Sequence, residues 1–573
     1  MAFRRGMIAT TVALGIVLTI STPLTAGAQG FRDGPQNYTP EPDARDLKAV
    51  LFNWGWHMGM LRGIEEHELI VSLEYQGNGT IQVGGDPCVL TRYRASISYQ
   101  TPGQRIQYAC TLPNGQPRSD IEVVSGQYAW NEDIVGAEIV PGEGTATAMP
   151  GATVEERLIR LWASPQGAPK AALAGAGIEL TQMDRNPGGL LEEGPSRIGD
   201  TSVSWEGDTP VVTFPIPGVP GATAAATLDE RYMAERVVVT QGRTTTEFRY
   251  GDYDDWNNPL NKVEVYYAGT IEERRNGEVV RNLTTLETET GSVYVVVPVP
   301  VSVGSPGPRP LFAADRRAEL QSREPTPRLA DGKPDLTGNW GGSGMNWRYG
   351  NRRCAPTQLA GCSTIWNQTV DFEFEAPSRF GPNRPLYKPE HWDQVQYLDM
   401  WTNRDDPVGT CQPLGIPRQG SPRRIIQSAN DAVFLYGQYA DGGGGYGEYR
   451  IVPIDGREHD ERQTLQTRYM GHTVGRWEGD SLVLDSVGFN DFTWLARGGF
   501  FHSDQMRIIE RFTRQGSEIL YEVVVEDPEV LAEPWVMTPR IMQASTNPDA
   551  GLLPERGNCE VYELEDITSQ IRH

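Results

Sequence analysis

Runs in which apolar and polar residues alternate, each ended by a turn rich in Gly, Asn or Asp, recur through nearly the whole chain and restrict its fold more than any other feature. A period of two places successive side chains on opposite faces of a strand, so each run can bury one face and wet the other. In the first half the pattern is carried by HELIVSLEYQGNG, YRASISYQ, QRIQYACTL and DIEVVSGQYAWNE, then by PVVTFPI, ERVVVT, TEFRYGDY, KVEVYYAG and SVYVVVPVPV. In the second half it returns in TVDFEFEAP, RIIQSANDAVFLYGQYA, YGEYRIVPIDG, TVGRWEGDSLVLDSVGF and QMRIIERFTRQGSEILYEVVVEDP. Strand, short polar turn and strand in succession predict antiparallel sheet.

Helical spacing interrupts this pattern in three places. Residues 43–61 carry Leu47, Val50, Leu51, Trp54, Met58 and Leu61 on one face, and 153–161 carry Val154, Leu158 and Leu161. In the second half, 386–402 presents Leu386, Trp392, Val395, Leu398 and Trp401. A chain of 573 residues is too long for one ordinary core. SPGPRP and REPTPRLADG mark the natural join, because dense proline disfavours a continuous element. The expected organisation is a leader at 1–28, a first domain at 30–303, a linker at 304–332 and a second domain at 333–573.

The leader is read from Arg4 and Arg5, the apolar run 7–20 and the small residues Ala26, Gly27 and Ala28, with cleavage expected after Ala28. No later stretch approaches the roughly 18 apolar residues of a spanning helix. The mature chain is therefore expected in the periplasm or outside the cell. A formal net charge of −24 without a basic stripe opposes nucleic-acid and anionic-membrane binding. Six cysteines in an oxidising compartment predict disulfides. The expected pairs are Cys88 with Cys110, Cys354 with Cys362 and Cys411 with Cys559, although the last four allow three pairings. Zinc is the weaker reading of these cysteines, since neither CxxC nor a compact Cys/His array occurs.

A curved sheet with a helix laid across its concave face leaves room for an apolar ligand. Trp54, Trp56, Tyr75, Tyr99, Tyr108 and Trp130 are candidates to line such a cleft, or to serve as ordinary core. GMLRG at 59–63, SLEYQGNGT at 72–80, TLDERYMAERVVV at 227–239 and the closing YVVVPVPV resemble the curved half-barrel of bacterial lipoprotein-carrier and lipoprotein-like domains. That resemblance covers about 30–303. It implies a half-barrel-like antiparallel first domain with an acyl-chain cavity, and hence a lipid or other hydrophobic ligand.

The second half resembles a poorly characterised group of exported bacterial proteins, in PDLTGNW (334–340), CQPLGIPR (411–418), IDGREHD (454–460), GHTVGRWEGDSLVLDSVGFNDFTWL (471–495), HSDQMRIIERF (502–512) and YEVVVEDPEVLAEPW (521–535). The resemblance implies a common β architecture, here an antiparallel barrel or sandwich, and an exported location, but no reaction. Asp460 stands where related sequences often place a proline, so that turn is expected to differ.

Rare polar chemistry concentrates between Gly471 and Asp504, which holds two of the seven histidines. WEGD at 477–480 reads as a hairpin, because a second copy at 205–208 lies between other strands. The flanks carry the chemical interest. In the enzyme reading, a hydrolase or lyase acting on a neutral or hydrophobic organic substrate, His472 or His502 transfers a proton and Asp491 or Asp504 orients the imidazole. Arg418 or Arg476 then binds an oxygen-rich group, and Trp494 and Phe500 form the apolar wall. A metal on the two histidines with Asp491 or Asp504 is less favoured, since the histidines lie 30 residues apart and no HExxH occurs. Paired-carboxylate glycoside chemistry through Asp485, Asp491 or Glu510 has no fixing spacing, and a serine triad lacks its GxSxG elbow. No cofactor is called for. The alternatives are a noncatalytic hydrophobic-ligand binder or carrier, and a structural or interaction protein, homo-oligomeric or forming an extracellular assembly.

Overall fold

The structure is a computed structural model that describes residues 44–60, 72–99, 102–178, 194–256, 265–291, 294–305, 311–312, 320–341, 384–436, 448–496, 498–537 and 539–547. The expected leader, residues 306–310 and 313–319 of the expected linker, and Cys354, Cys362 and Cys559 lie outside the described residues.

The chain is mainly β, as the alternation predicts. Its first sheet uses β1 (Ser72–Val83), β2 (Asp86–Ser98), β3 (Gly103–Thr111), β4 (Pro117–Ser125), β5 (Tyr128–Glu132), β6 (Ala146–Ala148), β7 (Arg197–Ile198), β8 (Thr201–Glu206), β9 (Thr209–Pro215), β10 (Ala222–Leu228), β11 (Ala234–Gln241) and β12 (Thr244–Gly251). β13 (Asp254–Asp255) and β14 (Tyr266–Tyr267) pair apart, and β15 (Thr270–Arg275) and β16 (Glu278–Gly291) return to the sheet. These strands form one open, curved, 14-stranded sheet in the order β6-β5-β4-β3-β2-β1-β16-β15-β12-β11-β10-β9-β8-β7. Register slips at Gln76/Gly77 where β1 meets β16. Gly79 beside this bulge has φ +134°, and a Cβ there would come within 2.0 Å of the Asn282 carbonyl oxygen. Only glycine lets the two central strands approach so closely, and bulges of this kind bend a sheet. The expected Cys88–Cys110 disulfide is present across β2 and β3. Cys411 is also disulfide-bonded, to a partner outside the described residues.

Three helices cover one face of this sheet: α1 (Leu47–His57), α2 (Gly151–Ala163) and α3 (Gly167–Ala176). Asp46 caps α1 by accepting from the Ala49 amide, 3.1 Å away. The periodicity anticipated α1 and α2, but not α3. Its sequence GAPKAALAGA is buried almost all round, so there is no polar face from which an amphipathic period could be read. The opposite face near β4 and β5 is covered by residues 294–303, where Val297 meets Val123 and Trp130.

The second sheet uses β17 (Gly338–Gly341), β18 (Arg424–Gln427), β19 (Asp431–Leu435), β20 (Tyr449–Pro453), β21 (His472–Glu478), β22 (Ser481–Val487), β25 (Arg507–Gln515), β26 (Glu518–Glu526), β27 (Trp535–Val536) and β28 (Arg540–Ala544), with β23 (Trp494–Ala496) and β24 (Phe500–Phe501) pairing separately. The order β20-β19-β18-β17-β28-β26-β25-β22-β21 makes a nearly closed nine-strand barrel, with β27 added on β26. At the seam the Gly456 amide donates to the Gly475 carbonyl at 3.0 Å. Gly475 has no room for a side chain there, because a Cβ would meet Ile454 at 2.9 Å. The helix expected at 386–402 appears as a turn of 3-10 helix at Pro389–His391 followed by α4 (Trp392–Met400).

Both WEGD copies form hairpin turns, between β8 and β9 and between β21 and β22. In each the glycine takes positive φ, +66° at Gly207 and +61° at Gly479. Asp480 also receives a two-pronged ion pair from Arg328. Residues 320–328 are fastened to the barrel: the Gln321 and Ser322 amides donate to Glu518, and the Gly516 amide donates to Thr326. Tyr294 leads from the first sheet toward the second, its hydroxyl donating to the Pro385 carbonyl and accepting from the Tyr387 amide.

Candidate functional site

Three polar groupings stand out against apolar surroundings. The first lies on the helix-covered face of the first sheet. Arg160, on α2, forks onto Glu273 of β15 at 3.0 and 3.3 Å, and Arg281 of β16 lies 3.6 Å from the same carboxylate. Arg281 also donates to the Tyr93 hydroxyl at 2.6 Å, which lies 3.3 Å from that of Tyr75. Burial alone pushes the Glu273 carboxyl up, but Arg160 and Arg281 together hold it down to about 2. Around this network lie the buried phenols Tyr75, Tyr99, Tyr250 and Tyr267, which burial keeps protonated.

The second grouping is inside the barrel. Register places Leu484 opposite Glu510 and Val523 opposite Glu510, on the face that carries Leu482, Phe512 and Tyr521. There Arg450 grips Glu510 through two bonds of 2.6 and 2.9 Å, and Tyr521 donates to the same carboxylate at 2.7 Å. Arg450 also donates to the Tyr436 hydroxyl. Every charged atom here has a partner, so the cluster reads as a satisfied interior network.

The third grouping uses the other face of the same strands. His472 of β21, Asp485 of β22 and Arg507 of β25 lie beside His459, which follows β20. Nδ1 of His459 is 2.8 Å from Nδ1 of His472, so one ring donates and the other accepts. Asp485 lies 3.7 Å from Nε2 of His459 and is forked by Arg507 at 2.9 and 2.6 Å. Burial raises the Asp485 carboxyl, but Arg507 overrides it and holds the group below its ordinary range. Burial lowers His472, and repulsion from His459 and Arg468 adds to this, with Asp460 opposing. This arrangement can pass a proton from one imidazole to the other. Asp460, at the turn expected to differ, caps the short helix Glu461–Thr464 by accepting from the Arg462 amide.

The other residues singled out in the sequence are dispersed. His502 is buried, with Nε2 2.7 Å from the Thr493 hydroxyl and Nδ1 2.9 Å from the Ser503 carbonyl oxygen. Burial lowers it, while the Ser503 carbonyl, Asp527 and Asp491 pull the other way. Asp491 is exposed, and Asp504 accepts from Gln505 at the surface. Among the described residues no hydrogen bond or ion pair joins His472 to His502, Asp491 or Asp504. Arg476 pairs with Glu478 in its own exposed hairpin, and Arg418 forks onto Asp406. Trp494 and Phe500 are buried, Phe500 against Tyr294 and Tyr387. His459, the partner that His472 does have, was visible within IDGREHD but carried no spacing that tied it to residue 472. Only closure of the barrel between β20 and β21 brings the two rings together.

Among the described residues no group of three or more His, Cys, Asp or Glu side chains could hold a metal ion, and no helix is long and apolar enough to cross a membrane. No protein family matches the chain, and neither does any curated protein. Among solved structures it is similar to a LolA-superfamily protein from Nitrosomonas europaea, at 12% identity, over 43% of this chain and 94% of that one, with a TM-score of 0.23. The similarity is distant and partial.

Proposed function

We propose that this chain is an exported, noncatalytic binder or carrier of a hydrophobic ligand, which it holds between the first sheet and its helices. The observation that carries this reading is that the sheet is open. β6 and β7 end it without pairing to each other, so helices rather than strands close its covered face. Lifting a helix from that face costs apolar packing and, for α2, the bonds of Arg157 and Arg160 to the sheet, but breaks no ladder hydrogen bond, which gives a ligand a route in. The face is aromatic and aliphatic, with Tyr75, Tyr99, Trp162, Phe214, Tyr250 and Tyr267 in one continuous core. Such walls suit an apolar ligand oriented by a few polar groups. Export to the periplasm or beyond follows from the leader-like N-terminus and agrees with the disulfides.

The test is nondenaturing purification followed by native mass spectrometry and solvent extraction. An apolar small molecule should accompany the protein in near-stoichiometric amount, or exogenous long-chain fatty acid should bind it saturably. Protein that arrives empty and also refuses fatty acid and an oxygen-free fluorescent naphthylamine overturns the reading.

A second reading, acid–base catalysis on the barrel's outer face, is favoured by the His459–His472 pair beside Asp485. It makes His472 the proton-transferring group, with His459 and Asp485 behind it. His472 should then titrate below the usual imidazole value of about 6.5, and replacing the neighbour that helps to lower it through His459→Gln should move the midpoint up. Because its folded value is depressed, His472 contributes stability that is present above about pH 6.5 and lost as the pH falls through the folded value. Nuclear magnetic resonance titration of the ring protons reads this directly. A midpoint at or above the ordinary value, unmoved by the variant, sinks the coupled pair.

A further inference from the structure

We propose that the outer face of β18, β19 and β20 is a docking surface, and that its occupant is the chain's own C-terminal segment, residues 548–567. The face is apolar and open. Ile425, Ala432, Phe434 and Val452 belong to the barrel core, so the residues that alternate with them, Ile426, Val433, Leu435, Tyr449 and Ile451, point out of the barrel. Register joins these into one patch. Ile426 stands opposite Val433 and Val433 opposite Ile451, while Leu435 stands opposite Tyr449 in the next row. Ile426, Tyr449 and Ile451 are 43%, 62% and 65% exposed. A single exposed apolar side chain is ordinary, but five side by side on one sheet mark a surface that something covers.

The path of the chain selects the occupant. The Ser545 amide donates to the Asn339 carbonyl at 2.8 Å, Asn339 stands opposite Arg424, and Arg424 stands opposite Leu435. The described chain therefore ends at Asn547, two residues beyond the row that leads across β17 and β18 into the patch. With neighbouring strands about 4.8 Å apart, Leu435 lies about 14 Å and Tyr449 about 19 Å from β28. Five or six extended residues span about 17–20 Å. The first large apolar residues after Asn547 are Leu552 and Leu553, at that distance along the chain, and Val561, Tyr562 and Leu564 follow. Charge agrees with reach. Arg424 is exposed at the rim of the patch, and no ion pair engages it among the described residues. The segment sets Glu555, Glu560, Glu563, Glu565 and Asp566 against the single Arg556. A second copy of the chain is the weaker occupant, because a net charge of −24 repels its like. A tethered segment meets the patch at an effective concentration on the order of millimolar.

The experiment uses the full chain with photoreactive benzoylphenylalanine in place of Leu553, which leaves the face itself unaltered. Irradiation, digestion and mass spectrometry should find cross-links from residue 553 into 424–435 or 449–453, in a product of monomer mass. In parallel, hydrogen–deuterium exchange over 548–567 is followed in wild type and in Ile451→Asp. The segment should be protected in wild type and should exchange about tenfold faster in the variant, because a charge replaces an apolar contact at the centre of the patch. Arg424→Glu should act in the same direction, more strongly at low ionic strength. Both substituted side chains are exposed, and unchanged exchange over 507–526 checks that the barrel stays folded. Cross-links in a product of doubled mass give the face to a second copy and overturn the proposal. Cross-links only to other parts of the chain overturn it as well, as does a C-terminal segment that exchanges at the unprotected rate in wild type.

Discussion

Glu510→Ala is expected to destabilise the barrel by about 3–5 kcal/mol. Arg450 and Glu510 are almost completely enclosed, with side-chain exposures of 4% and 1%, and their two parallel bonds link β20 to β25 across the interior. Removing the carboxylate leaves the guanidinium in the same apolar surroundings with only the Tyr436 hydroxyl as a polar partner in this cluster, and strips Tyr521 of its acceptor. The cost is chiefly that of an uncompensated buried charge, and not the net worth of the pair. The double variant Arg450→Met with Glu510→Leu should therefore recover most of the loss, because the charge and its partner leave together. Hydrogen–deuterium exchange over 449–453 and 507–526 localises the effect to the barrel, where a single global melting curve of a chain this large would blur it. A single variant that costs under about 1 kcal/mol, or a double variant worse than the single, contradicts this account.

That cluster also shows where reading the sequence reaches its limit. Alternation was legible because period two is a local property, and it located many of the strands between Ser72 and Glu526 with the correct antiparallel sense, but it passed over β15 and β16 and marked SVYVVVPVPV as a strand, whereas residues 294–301 form none. Within its runs it assigns charged positions to the wet face, however, and Arg450 and Glu510 are buried, as are Glu273 and Arg281 in the two strands it passed over. Each is tolerated because a partner from a distant segment neutralises it, 60 residues away for Arg450 and 113 for Glu273 with Arg160. Nothing in a ten-residue window announces such a partner. The failure at α3 has the opposite cause, since a helix buried all round lacks the polar stripe that periodicity requires. The candidate site behaved likewise. His472 was conspicuous within its hairpin, but its neighbour His459 depends on the barrel seam. The disulfide between Cys88 and Cys110 was readable because these are the two cysteines of the first half, and the structure sets them on neighbouring strands of one hairpin.

Acidification should loosen the first sheet's helical cover through Glu273. Its carboxyl is held at about 2, against an ordinary value of 4.5, because Arg160 and Arg281 outweigh the effect of burial. A depressed folded value means the unfolded chain binds the proton more readily, so this contribution is fully present above pH 4.5 and is lost as the pH falls toward 2. Its size is about 3 kcal/mol by the same linkage. Arg160 keeps Glu156 at 3.2 Å and Glu122 at 3.7 Å, so α2 is not released outright. At neutral pH Glu273→Ala should cost about 3–5 kcal/mol, since two guanidinium groups lose their shared carboxylate, while Glu273→Gln should flatten the acid dependence. If, as proposed, the chain is a carrier whose helical cover lifts to pass a ligand, it should also release that ligand faster as the pH falls over this range, and the Gln variant should release it equally fast at every pH. Stopped-flow displacement of a bound fluorescent naphthylamine measures both. A wild-type release rate that stays flat from pH 5 down to the acid limit of folding, with α2 exchange unchanged, would separate this ion network from the helix's hold on the sheet.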